Sequence, residues 1–138
     1  MSVRYTTKEA IAAKLYDKIN AVSQFQNRVE RQYVEVGTYE YPGVFINDVR
    51  ETRRRVLKDA VHVVWTALLI LYVFDEGTTL STTLNSTLAS LISAVKADPT
   101  LDNLVYNTKI IQVDTDEGFL RPHGVALLTT EVEFLTQV

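Results

Sequence analysis

The residues best suited to chemistry are few and scattered along the chain. There are two histidines, His62 and His123, and no cysteine. His62 lies in a strongly apolar run and His123 in a distant polar loop, so neither has a ligand at the spacing of a metal site. We interpret both as core or turn histidines. The lack of cysteine excludes disulfides, thiolate nucleophiles and cysteine metal sites.

An acidic group, Asp114, Asp116 and Glu117, is the second candidate. Its carboxylates could attract calcium, but the ligand spacing of a calcium loop is missing, so we interpret the group as a solvated hairpin tip. The chain has no Gly-x-Ser-x-Gly motif and no glycine-rich phosphate loop. Spacing identifies no pair of carboxylates for acid–base catalysis. We therefore expect a protein that is not an enzyme.

A basic cluster lies in the charge-rich segment 47–58, which we predict to be a protruding loop. Its arginines are Arg50, Arg53, Arg54 and Arg55. They could contact phosphates or an acidic surface of a partner protein. The acidic neighbours that could neutralise them are Asp48, Glu51 and Asp59. The small basic excess favours a neutralised loop or a protein contact over nucleic acid.

Composition indicates one globular domain spanning residues 1–138. Of the 138 residues, 46% are hydrophobic and 22% are charged, which allows a packed core. The net charge of −3 provides no general attraction to nucleic acid or anionic lipid. The first residues begin no apolar run, so we expect no cleaved signal peptide. The longest apolar run, 61–74, is shorter than the roughly 20 residues of a membrane-spanning helix.

Two amphipathic helices are predicted. Thr6 and Glu9 have the spacing of a capping box, and a helix over 7–23 follows. Its apolar stripe is Ile11, Leu15, Ile19 and Val22. The stripe of the second helix is Leu80, Leu84, Leu88, Leu91, Ile92 and Val95. That helix should end at Asp98, because Pro99 disfavours helical geometry in the residue before it.

Strands are predicted elsewhere in the chain. The run 61–74 is rich in β-branched and aromatic residues and apolar on both faces, which favours a central strand, with a buried helix as the alternative. Segment 28–36 is polar on both sides and is predicted to be an edge strand. Residues 44–46 form a short strand candidate, and 104–114 and 125–134 form two more. Helix and strand segments in this order indicate an α+β fold.

The order of these elements resembles that of the tail terminator, or tail completion, proteins of long-tailed bacteriophages. An N-terminal helix leads through Arg28-Val29 into a strand and then a Tyr-Pro-Gly-Val-Phe-Ile stretch at 41–46. A long apolar strand then runs directly into the second helix. The chain ends with Asp-Pro-Thr-Leu-Asp-Asn at 98–103, a strand, an acidic turn and a final strand that finishes in Val132-Glu133-Phe134.

The resemblance implies a mixed, mostly antiparallel sheet of four to five strands with two main helices packed on one side. It implies a structural virion protein, without cofactor, at the head-proximal end of the tail after assembly in the host cytoplasm. The partners would be further copies of the chain in a ring, usually a hexamer, the tail tube protein, and the head–tail connector or stopper protein. DNA would pass through the ring without sequence-specific binding, and no membrane would be involved.

Candidate subunit or partner contacts are the loop residues Arg53, Arg54, Arg55, Phe119 and Arg121. Two other functions fit the sequence. One is a neck or head-completion connector protein, which would also assemble as a ring. The other is a small-molecule-binding or hydrolytic α+β domain, which would need an apolar pocket with converging polar groups near His62 or Trp65.

Overall fold

A five-stranded sheet with two helices forms the chain in the computed structural model, which describes residues 5–31, 42–75, 79–116 and 122–137. In chain order the elements are α1 (Lys8–Asn20), a 3₁₀ turn (Ser23–Phe25), β1 (Val29–Glu30), β2 (Gly43–Leu57), β3 (Ala60–Phe74), α2 (Leu80–Lys96), β4 (Asn107–Thr115) and β5 (His123–Gln137). The strand order is β1-β2-β3-β5-β4, with β1 parallel to β2 and the other pairs antiparallel. This confirms the predicted α+β class.

The apolar run is the central strand β3, so the prediction is confirmed and the buried-helix alternative is wrong. Strands β2 and β5 flank β3 along almost its whole length. Alternate residues such as Val63, Trp65 and Leu69 are buried in the main core. The residues between them point to the other face, where Ile70 and Tyr72 join a second buried cluster. A strand buried on both faces explains a continuous apolar run without alternation.

Both helices pack on the same face of the sheet, as predicted. Their buried residues share the main core with the β3 side chains of that face. The larger ones are Ile11, Leu15 and Ile19 from α1, and Leu80, Leu84, Leu91 and Val95 from α2. Each fully buried side chain of this size contributes about 1.5–3 kcal/mol. None of the helices in the described ranges is long and apolar enough to cross a membrane.

The helix ends differ by a few residues from the predicted ones. The N-cap of α1 is Thr7, whose Oγ1 accepts a hydrogen bond of 3.2 Å from the Ala10 N–H. The predicted cap, Thr6, is instead buried, and its N–H donates to the Leu135 carbonyl at 2.9 Å. The N-cap therefore lies one residue later than predicted, and the predicted capping box is not formed, because Glu9 instead accepts hydrogen bonds from Arg31. The second helix ends at Lys96, two residues before Asp98.

Segment 47–58 is not a loop, and that prediction is wrong. Its residues continue β2 and form a long hairpin with β3, with register shifts between Asp48 and Arg50 and between Arg55 and Leu57. Most side chains in this half of β2 are exposed whichever face they point to. The sequence of this half therefore lacks the hydrophobic alternation by which a strand is predicted. Backbone pairing with β3 maintains it as a strand.

The other predicted strands are found with shifted ends. In the sheet, β1 occupies one edge, as predicted for segment 28–36, although residues 32–36 lie outside the described ranges. The candidate 44–46 is the start of β2, and 125–134 lies within β5. The strand predicted from 104 begins at Asn107.

A turn with left-handed backbone geometry lies between α2 and β4, so β4 begins later in the chain than predicted. Leu101, Asp102 and Asn103 have φ values of 48°, 60° and 65°. The Asp102 N–H donates to Asp98 Oδ2 at 2.7 Å, and the Lys18 ammonium lies 3.1 Å from Asp98 and 2.8 Å from Asp102. Non-glycine residues rarely adopt this backbone, so these contacts and the buried Leu101 side chain must stabilise it.

Candidate subunit and partner interface

The β2–β3 hairpin carries the three arginines predicted to make contacts. Arg53 is paired with Val63 in the neighbouring strand, Arg54 with His62 and Arg55 with Val61. Directly paired residues of antiparallel strands point to the same face. Arg53 and Arg55 therefore point to the helix side of the sheet, whereas Arg54 points to the opposite side. The basic cluster is divided between two surfaces and cannot act as one patch.

The three guanidinium groups also differ in how far they are already engaged. Arg53 forms an exposed ion pair with Glu51 at 3.2 Å. Arg55 donates hydrogen bonds to the carbonyls of Leu57 and Lys58 and so braces the hairpin turn. Arg54 has no ion pair within the described part of the chain. Arg54 is therefore the cation of this set that is available to an acidic partner.

A group of polar side chains at the base of the hairpin contacts α1. The Lys8 ammonium lies 2.6 Å from Asp48 and 3.3 Å from Glu51. The buried Trp65 indole N–H donates to Asp48 Oδ1 at 2.9 Å. The hydrogen bond with Asp48 raises the pKa of Lys8, and the same bond lowers the pKa of Asp48. Both groups stay charged near neutral pH, so an ion pair links the hairpin to α1.

A cavity of about 190 Å³ opens beside this group. Its lining residues are Lys8, Glu9, Ala12, Arg31, Ile46, Asp48 and Trp65. The charged groups already pair with one another, Lys8 with Asp48 and Arg31 with Glu9, the latter through two hydrogen bonds. The cavity therefore presents no unpaired charge to a ligand. A pocket near Trp65, as the small-molecule hypothesis needs, is present, but its polar groups do not converge on an empty centre.

The two histidines lie at opposite ends of the β3–β5 pair and make separate contacts. His62 Nε2 is 3.6 Å from Glu133 on the face opposite the helices. The His123 ring meets the Phe74 ring edge-on, with centroids 5.3 Å apart. Across residues 5–31, 42–75, 79–116 and 122–137, no group of three or more His, Asp or Glu side chains could hold a metal ion.

The remaining predicted contact residues, Phe119 and Arg121, lie outside the described residues. The acidic residues before them are described. Asp114 accepts a 2.7 Å hydrogen bond from the Gln112 side chain, and Asp116 accepts one of 3.4 Å from the Val125 N–H. Their carboxylates are thus used within the β4–β5 hairpin itself.

Sequence reasoning missed the exposed apolar residues at the edges of the sheet. Ile111 and Val113 on β4 are 49% and 39% exposed, and Val56 and Leu57 on β2 are 41% and 57% exposed. The pattern around 109–114, in which charged residues flank apolar ones, indicated a strand but not which strand would lie at the edge. Exposed apolar residues on an edge strand are typical of association surfaces.

No protein-family model matches the chain, and no curated protein matches it either. Among solved structures, the chain is similar to a chain of the virion of a native gene transfer agent (GTA) particle. The TM-score is 0.52 at 10% sequence identity, and the match covers 94% of this chain and 97% of that chain. At this identity the similarity establishes a shared fold. The coverage shows that this fold extends over both chains almost completely.

Proposed function

We propose that this chain is a structural virion protein, and specifically a tail terminator that forms a ring on the tail tube. In this role the ring, expected to be a hexamer, stops polymerisation of the tube and joins the tail to the head connector. The observation that carries the proposal is the match, across nearly the whole of both chains, to a component of a virion particle. The resemblance of the element order to that of phage tail terminators supports the finer assignment.

The surface of the fold also supports an assembly role. A subunit of a closed ring needs two different, complementary surfaces, because its contacts are heterologous. The described sheet has two different open edges, β4 and the distal half of β2. The distal half of β2 adds an exposed, arginine-rich edge, with Arg54 free of any described ion pair. These features suit a part that acts by binding other copies and other virion proteins.

Light scattering on the purified protein, followed by negative-stain imaging, tests the proposal. The samples are the protein alone and the protein with tubes assembled from the tail tube protein of the same virus. We expect a ring in solution or one that forms at the tube end, and tubes of limited length. A protein that stays monomeric and leaves tube length unchanged would refute the tail terminator assignment.

The same assay distinguishes the neighbouring role in the neck. In extracts that supply heads and tails separately, a tail terminator must be added to the tails before joining. A neck or head-completion protein would instead act when it is preincubated with heads. Activity only after preincubation with heads would therefore replace the tail assignment with the neck assignment.

The contact role of the hairpin is tested by reversing one charge. The change Arg54→Glu should lower ring formation or head–tail joining at least about tenfold, since charge pairs at protein interfaces contribute on this scale. The melting temperature should not change, because Arg54 is exposed. Lys96→Glu in the exposed last turn of α2 is the matched control. If both variants assemble and join like the wild type, Arg54 is not a contact residue.

A further inference from the structure

Among the described residues, both edges of the sheet lack a neighbouring strand over long stretches. At the β2 edge, β1 is paired with only Val44 and Phe45, so residues 47–57 have β3 on one side and no described strand on the other. At the other edge, β4 is paired with β5 alone among the described strands. Each stretch therefore presents backbone N–H and C=O groups that no described strand satisfies.

The exposed apolar side chains of the described residues are concentrated at these two edges. Six of the seven lie on β2, on β4 or directly before β4. The six are Val49, Val56, Leu57, Tyr106, Ile111 and Val113. The seventh, Phe74, ends the central strand. A long edge strand with exposed apolar residues promotes pairing with another chain, and monomeric proteins usually block such edges.

We infer that these edges pair with each other between neighbouring copies, β4 of one copy with residues 47–57 of the next. This inference rests on the proposed ring and identifies its interface. Along the sheet order, β2, β3, β5 and β4 alternate in direction, so β2 and β4 run antiparallel. A second copy in the same orientation would thus continue the antiparallel alternation across the interface. The interface becomes a continuous sheet.

Charge favours this pairing over contact between two copies of the same edge. Two β2 edges would bring the arginine-rich stretches of both copies together, and like charges across strands are destabilising. The carboxyl end of β4 instead carries Asp114. Asp114 is paired with Leu127 and Arg54 with His62, and both pairs lie on the face opposite the helices. A continuous sheet would place Arg54 and Asp114 on one surface.

Pairing of β4 with β4 is the alternative that the experiment must exclude. It would use one edge twice, leave residues 47–57 unpaired and stop at a dimer. Pairing of β4 with β2 uses both edges of every copy, and this heterologous contact can close into a ring.

Cysteine cross-linking tests the inference directly, because the chain has no cysteine of its own. Val56→Cys and Ile111→Cys are made separately and treated with a short bis-maleimide, alone and mixed, with and without tail tubes. We expect covalent dimers mainly in the mixture. The double variant V56C/I111C should give a ladder of oligomers. Phe74→Cys, which is as exposed as Val56 at 41%, is the control and should not cross-link to either.

Substitutions at the same positions provide a second measurement. Val56→Lys and Ile111→Lys should each weaken ring formation at least about tenfold, since lysine blocks edge pairing, while Phe74→Lys should not. Two results would overturn the inference: rings that persist in both edge variants, or dimers of Ile111→Cys that are as abundant alone as in the mixture. Persistent rings would still be compatible with the proposed function, because the copies would then associate through other surfaces. A cross-linked ladder from a protein that never caps tubes would instead support the pairing and refute the tail terminator role.

Discussion

Gly124 at the start of β5 lies where the sheet and α2 leave no room for a side chain. A Cβ atom at this position would come within 2.9 Å of Val73 Cγ2, 3.3 Å of Leu80 Cδ1 and 3.5 Å of Leu84 Cδ2. Val73 lies directly opposite Gly124 in β3 and is 1% exposed, so its branched side chain has no free space to rotate into. The change Gly124→Ala should therefore force the sheet or α2 to shift.

Two opposing effects set the size of the change in stability. Overpacking a core position costs about 1–3 kcal/mol. Replacing glycine with alanine also restricts the unfolded chain, which stabilises the protein by about 0.4–1 kcal/mol. The steric effect is the larger, so we expect Gly124→Ala to lower the free energy of unfolding by about 1–2 kcal/mol. For a chain of this length, that corresponds to a fall in melting temperature of roughly 3–10 °C.

Urea unfolding of a double-mutant cycle gives the decisive measurement. Val73→Ala alone should destabilise the protein because it leaves a cavity. In the double variant the new methyl group at 124 occupies part of that cavity. The double variant should therefore be less destabilised than the sum of the single changes, by about 1 kcal/mol or more. Additive effects, or a Gly124→Ala variant as stable as the wild type, would refute the proposed steric conflict.

Two further predictions concern the hydroxyl group of a buried threonine and the left-handed turn between α2 and β4. Thr130 is fully buried and its Oγ1 has no hydrogen-bond partner among the described residues, so Thr130→Val should raise the free energy of unfolding by about 1 kcal/mol in urea titrations. Thr130→Ser, which keeps the hydroxyl and loses the methyl group, should be less stable than the wild type; a stabilised serine variant would contradict this account. The pKa of Asp98 is lowered from 3.8 to about 2, first by the Asp102 N–H and then by Lys18. Because the folded-state pKa is the lower one, this stabilisation is present above pH 3.8 and is lost as the pH falls towards about 2. Urea midpoints measured between these pH values should fall less steeply with pH in Asp98→Asn than in the wild type, and equal slopes would show that the turn carries no such linkage.

The sequence predicted which side chains are buried wherever apolar residues follow one another or recur at short, regular spacing. The continuous apolar run of β3 indicated a strand covered on both faces, and the stripes of α1 and α2 indicated helices with one buried side. These patterns depend only on residues close in sequence, so no knowledge of the fold was needed to interpret them. The capping residue was displaced by one position, because the Thr6 N–H bonds to β5, a contact with the far end of the chain.

The distal half of β2 had no such local signal. Its side chains point to solvent on both faces, so the charged strand was predicted to be a protruding loop that carries Arg53, Arg54 and Arg55. Antiparallel pairing with β3 instead divides them between the two faces of a hairpin. Only the side-chain contacts show which arginine is available to a partner. Glu51 pairs with Arg53, and backbone carbonyls of the hairpin turn accept hydrogen bonds from Arg55, so the available one is Arg54.

The sequence by itself determined the α+β class, the central strand and the two amphipathic helices, because each depends on a short periodic pattern. The tertiary structure alone decided the order of the strands. Strand β5 lies between β3 and β4, which leaves β4 at the edge although it comes earlier in the chain. Strand order depends on pairing between residues far apart in sequence. It is this order that places exposed apolar residues on two opposite edges, where a second copy can reach them.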